Sequence, residues 1–244
     1  FGALNRVLAE GGRGARTLVP VETPFGILPA GSFLFDRLDP ENMAGRIADA
    51  GTEAVRVDER PAARGLHPAR VGHYHSWTAS MDEGWIRFLL DSFAFPYTRL
   101  TDDRLRAGEL RRDFDVIVLP SLSAGAVTGG LREGNAPPAY IGGASEEGTL
   151  ALRRFVEAGG TLVCHDRSAD FALEHLDLPV EDVGRANRRE GFYAAGSVVR
   201  MTYESAHPLA AGMPPEGVAF ISGERTFRIT DPARAAAVQV IARF

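Results

Sequence analysis

The chain has 244 residues, 24% of them charged, a net charge of −5 and a single cysteine. That length builds a sizeable core in one large or two modest domains, and one thiol excludes an internal disulfide framework and a cysteine zinc site. No apolar run approaches the roughly 18 residues of a membrane span, no basic block invites nucleic acid, and the lack of lysine excludes a Schiff-base amine or a lysine phosphate loop. Phe1 is not an initiator methionine, so an upstream segment is expected and localisation is left open.

Residues 1–66 read as a small α+β unit. Leu4, Val7 and Leu8 lie at helical spacing and Gly11-Gly12 stops them. Short extended runs at Thr17-Leu18-Val19, Ile27-Leu28 and Ser32-Phe33-Leu34-Phe35 are separated by Pro24, Gly26, Pro29 and Gly31, which suits an antiparallel piece. A helix over 40–50 and a strand at Ala54-Val55-Arg56-Val57 complete the unit, and the proline-punctuated stretch 60–68 reads as a linker.

From residue 69 to 244 the pattern alternates strands and helices, which specifies a mostly parallel sheet with helices on both faces. The first strand is 71–75. Ser80-Met81-Asp82-Glu83 reads as a capping box opening a helix whose Met81, Trp85, Phe88 and Leu89 form one apolar stripe, expected to be buried. Tyr97-Thr98-Arg99-Leu100 is a strand, 102–112 a helix, and Asp115-Val116-Ile117-Val118-Leu119-Pro120 a central strand. Residues 121–144 form a long Gly-, Ala- and Pro-rich loop at its carboxyl end. A helix over 145–158, the strand ending at Cys164 and a helix over 168–176 follow. Beyond Pro179 the runs at 197–203, 218–221, 226–229 and 238–241 read as antiparallel strands, the last suggesting further chain beyond residue 244.

Ligands of open parallel sheets bind beyond the carboxyl ends of the strands. The residues there are Ser76, Trp77 and Thr78, then Ser121 and Ser123, then His165, Asp166 and Arg167, with Asp82 and Glu83 at a helix entrance beside them. They are polar enough for a small-molecule cleft, and several also serve as ordinary caps and turn residues. His73 and His75 share a strand face and form a candidate metal pair that lacks an evident third ligand. Cys164 is either a nucleophile or core filling. A nucleophile elbow needs small residues two places to either side; Leu162 and Asp166 stand there, so Cys164 reads as the end of a buried strand. In the rival reading His207, which precedes Pro208, serves as its base, and His165 is a weaker catalytic candidate.

The run Arg70-Val71-Gly72-His73-Tyr74-His75-Ser76-Trp77-Thr78-Ala79-Ser80-Met81-Asp82-Glu83-Gly84-Trp85, the strand Phe114-Asp115-Val116-Ile117-Val118-Leu119-Pro120 and His207-Pro208-Leu209-Ala210-Ala211-Gly212-Met213-Pro214 resemble the region that follows the catalytic domain in a bacterial group of zinc carboxypeptidase-like proteins. The opening Phe1-Gly2-Ala3-Leu4-Asn5-Arg6-Val7-Leu8 resembles the stretch leading into it. That region is similar in fold to class I glutamine amidotransferases, which implies a flavodoxin-like sheet. The amidotransferase thiol would fall near His165 or Asp166 here, and the paired His and Glu find only His207 followed by Pro208 and Leu209. The resemblance therefore implies a non-catalytic accessory or binding domain of a metallopeptidase. Zinc and the hydrolase chemistry would belong to an upstream catalytic domain, with no cofactor in this chain. That domain is the implied partner, together with a small-molecule or peptide ligand; a homo-oligomer is left open. The rival function is a thiol-dependent hydrolase or amidotransferase using Cys164 and a histidine.

Overall fold

The computed structural model describes residues 1–36, 51, 53–184, 195–210, 212–223 and 225–244. The helix expected over 40–50 lies outside the described residues. Two compact units divide the chain, Phe1–Phe171 and Ala172–Phe244.

The first unit opens with helix α1 (Gly2–Ala9), which packs its Leu4 and Val7 against strand β1 (Arg13–Thr17). A hairpin of β2 (Val21–Thr23) and β3 (Gly26–Leu28) follows, then β4 (Phe33–Asp36). The segment read as a linker instead contributes β5 (Ala63–Leu66), antiparallel to β1 on the side opposite β4. Ala63-Arg64-Gly65-Leu66 carries no apolar alternation, so main-chain pairing with β1 holds it there. Residues 54–57, expected as a strand, are irregular.

The main sheet of this unit is parallel and comprises β6 (Val71–Tyr74), β7 (Tyr97–Leu100), β8 (Val116–Leu119) and β9 (Thr161–Cys164) in the order β7-β6-β8-β9. All three pairings are parallel. Counted within this sheet the order is 2-1-3-4, the flavodoxin-like arrangement of an α/β fold. The connections are α2 (Met81–Ser92), then α3 (Asp102–Arg106) and α4 (Leu110–Asp113), then α5 (Ala124–Thr128) and α6 (Ser145–Glu157). The helix expected over 102–112 is split, because Gly108 and Glu109 both take left-handed backbone angles. A short turn of 3-10 helix leads from β9 into α7 (Ala169–His175), within which the two units divide.

Strand alternation decides what each face of the sheet holds. Tyr74, Leu100, Ile117 and Leu119 point to one face and meet Leu105, Leu110, Leu152, Phe155 and Phe171 in the main core. Gly72 lies on that face, where a Cβ would come within 3.1 Å of the Phe114 ring. The opposite face presents Val71, His73 and Val118 to α2. Here the buried-stripe expectation fails: Met81 is 84% exposed, Trp85 65%, Phe88 59% and Leu89 53%, while Glu83 is only 7% exposed. The helix turns its carboxylate inward because this face of β6 carries imidazoles. Pairing a carboxylate with them satisfies groups that an apolar stripe would leave buried and unpartnered.

The second unit is antiparallel. Strand β10 (Val180–Asp182), not expected from the sequence, pairs with β13 (Phe227–Ile229). The other sheet runs β12-β11-β14, with β11 (Ser197–Tyr203), β12 (Glu216–Ile221) and β14 (Ala242–Arg243). The apolar run 238–241 forms no strand; the pairing to Thr202 and Tyr203 comes from Arg243 and Ala242.

Candidate functional site

The carboxyl ends of β6, β8 and β9 bring together much of the polar set singled out in the sequence. The Ser80 hydroxyl does not cap α2. It donates to the Ser121 carbonyl oxygen at 3.1 Å and so ties the segment after β6 to the segment after β8. Ser121 Oγ donates in turn to Asp166 Oδ2 at 2.8 Å, reaching the turn after β9. Asp166 has φ of 43°, in the left-handed region that a non-glycine residue enters at some cost. Ser168, fully buried, donates to the carbonyls of His165 (2.8 Å) and Leu119 (3.2 Å) and fixes that turn against β8.

His165 is exposed, yet partial desolvation lowers its imidazole from the ordinary value, and the nearby Asp82 carboxylate offsets that in part. Arg167 is exposed. Ser76 Oγ accepts from the Thr78 amide at 3.0 Å and shapes the turn leaving β6. Just below, the buried Tyr74 hydroxyl donates to the buried Asp102 carboxylate at 2.6 Å. Burial raises both groups: Tyr74 stays a phenol, and Asp102 titrates above the usual carboxylate range.

Cys164 is the last residue of β9, not the residue of the turn. It is half-buried and packs against the main core. Burial pushes its thiol up to about 11, against a smaller opposing effect of Ser168. A nucleophilic thiol needs the opposite environment, accessible and electropositive. His207 lies in the second unit with both ring nitrogens engaged. Nδ1 accepts from the Leu209 amide at 3.2 Å, so Nε2 carries the proton it donates to Gln239 Oε1 at 2.7 Å.

Glu83 joins a second cluster, beneath α2. Its Oε1 accepts from His75 Nδ1 at 3.0 Å, forms an ion pair with Arg87 Nε at 2.9 Å and lies 3.7 Å from His73 Nε2. Burial works to raise the Glu83 carboxyl, but the His75, Arg87 and His73 contacts outweigh it and leave it below its ordinary value. Since a guanidinium only donates, His75 Nε2 accepts from Arg99. The His75 ring thus has its proton on Nδ1. His73 Nε2 faces the Glu83 main-chain oxygen at 3.2 Å, and burial lowers this imidazole. Both His75 nitrogens are engaged, whereas His73 Nδ1 is buried without a hydrogen-bond partner among the described residues; no group of three His, Cys, Asp or Glu side chains among them is arranged to hold a metal ion.

Two participants went unread in the sequence. Arg99 stands opposite His73 in the sheet register and also lies over the Trp77 ring at 6.0 Å. Tyr140, in the long loop, meets Trp77 edge-on with ring centroids 4.6 Å apart. The signal for Arg99 was its place near the end of a strand beside β6. Tyr140 had none, since its contact depends on how the loop folds back.

No family model matches the chain, and no curated protein matches it by sequence. A solved structure from Thermoplasma acidophilum, described as that of a GMP synthase subunit, is similar over 68% of this chain and 71% of that chain, at 9% sequence identity and a TM-score of 0.42. The parallel pairing and the 2-1-3-4 strand order are what define the sheet as flavodoxin-like.

Proposed function

We propose that this chain is a non-catalytic binding domain built on an amidotransferase-like sheet. The observation that carries the reading is the turn after β9. Asp166 occupies the left-handed position at which an elbow nucleophile would be displayed, and the only thiol lies two residues earlier, half-buried in the strand with its pKa pushed up to about 11. Asp82, Ser121, His165 and Asp166 then serve as a polar cleft for a small ligand or a peptide end, with Ser76 and Trp77 forming one wall and Arg167 the rim. The sequence resemblance supplies the context: a zinc carboxypeptidase-like protein whose catalytic domain lies outside this chain and carries the zinc. In that setting the domain shapes substrate access or assembly for its neighbour.

Purified chain incubated with glutamine and with C-terminally unblocked peptides is expected to release neither ammonia nor amino acid. Hydrolysis that is abolished by Cys164→Ser or Asp166→Asn would defeat the proposal and favour the thiol-dependent rival.

A further inference from the structure

We propose that loop 131–141 is a hinged lid over the cleft at the carboxyl end of β6, with Tyr140 as its latch against Trp77. The inference rests on reading that cleft as a binding site, and it adds how ligands reach it.

The neck of the loop is a close backbone crossing. Gly130 and Gly143 both take left-handed angles, φ 55° and 51°. A Cβ on Gly143 would lie 2.6 Å from the Gly130 nitrogen and 2.8 Å from the carbonyl oxygens of Val127 and Thr128, so no larger residue fits. The crossing is fastened by Gly142 N–H to Leu131 O at 3.0 Å, Ala144 N–H to Val127 O at 2.8 Å and the Arg106 guanidinium on Gly143 O.

Beyond the neck the loop bonds to itself. Asn135 N–H reaches Arg132 O at 3.1 Å and Tyr140 N–H reaches Pro137 O at 2.9 Å. Among the described residues, no hydrogen bond joins 132–140 to the rest of the protein, and most of these residues are exposed. The ring contact of Tyr140 with Trp77 is the described tie across the cleft mouth. A segment with a fixed neck and internal bonding, and without hydrogen bonds to the rest of the protein beyond that neck, can swing about it as a body. Trp77 lies in the turn after β6, where the strand order reverses and ligands of such sheets bind.

The chain has two tryptophans, so Trp85→Phe leaves Trp77 as the sole reporter, and acrylamide serves as a small neutral probe of access to the cleft mouth. Tyr140→Ala in that background is expected to raise the acrylamide quenching constant of Trp77 about two- to ten-fold, the factor to which an aromatic pair's contact corresponds. Gly143→Ala, which keeps Tyr140 but displaces the neck, is expected to raise it in the same direction, with far-UV circular dichroism confirming the fold. Unchanged quenching in Tyr140→Ala would overturn the latch. A rise in Tyr140→Ala with none in folded Gly143→Ala would reduce the loop to a static cover and overturn the hinge. Neither readout requires a ligand, so the lid can fail while the binding reading stands, and the reverse.

Discussion

Ser121 Oγ donates to Asp166 Oδ2 at 2.8 Å, which joins the loop after the central strand to the left-handed residue after β9. The bond holds the turn after β9 to the segment after β8. A double-mutant cycle with Ser121→Ala and Asp166→Ala is expected to give a coupling of about 1 kcal/mol in urea denaturation, the net worth of one hydrogen bond. Asp166→Gly should cost less than Asp166→Ala, because glycine takes the left-handed angle without strain. Equal losses in the two variants would contradict the strain argument.

Glu83 holds α2 to the sheet through a carboxylate shared by His75 and Arg87. Glu83→Ala leaves the His75 imidazole and the Arg87 guanidinium without their carboxylate and is expected to cost about 1–3 kcal/mol. Substitutions on the outward stripe act oppositely to what apolar periodicity suggests: Trp85→Ala and Phe88→Ser should each shift stability by under about 0.5 kcal/mol, whereas Phe155→Ala in the core should cost about 3–5 kcal/mol. Chemical denaturation of the four variants checks the ranking.

Acid should destabilise the protein from the histidine range downward. Burial sets His73 below 6.5 in the folded state, so between that folded value and 6.5 the unfolded chain binds the proton that the folded chain excludes. Stability then rises with pH, and this contribution is lost as pH falls below 6.5 toward the folded value. Glu83, held below 4.5, adds stability that is present above 4.5 and lost as pH falls through its folded value. The urea midpoint is expected to be lower at about pH 5 than at about pH 7.5, with a flatter dependence over that interval in His73→Gln.

Tyr74 and Asp102 form a buried pair. Tyr74→Phe removes the donor and leaves a buried carboxylate unpartnered, at an expected cost of about 1–3 kcal/mol. Thermal unfolding reports it. Asp102→Asn in addition should recover part of the loss, since an amide is less costly than a carboxylate to bury without that donor.

The parallel sheet was legible because its strands are short runs of branched and aromatic residues separated by helix-length segments; β7 and β11 have the expected bounds. The failures have physical causes. The α2 stripe looked like a core face because periodicity registers only where apolar residues fall on the helix, and the partner face of β6 carries His73 and His75. Strand β5 has no side-chain signature, and its place comes from β1. At the site, Ser121 and Asp166 were readable from their positions after strands, and a hydrogen bond joins them. Glu83 was assigned to the same cleft, but it lies under α2 among imidazoles. The Tyr140–Trp77 contact depends on the path of an aperiodic loop, which no local pattern encodes.

The pH dependence of Cys164 reaction with an aromatic disulfide reagent tests most directly whether this thiol is interior filling or chemistry. In native protein the rate is expected to be very low near neutral pH and to climb toward the raised value of about 11, with prompt labelling on denaturation and no change in His165→Ala or His207→Ala. Rapid labelling of the native protein at neutral pH, slowed by removing either histidine, would contradict the account.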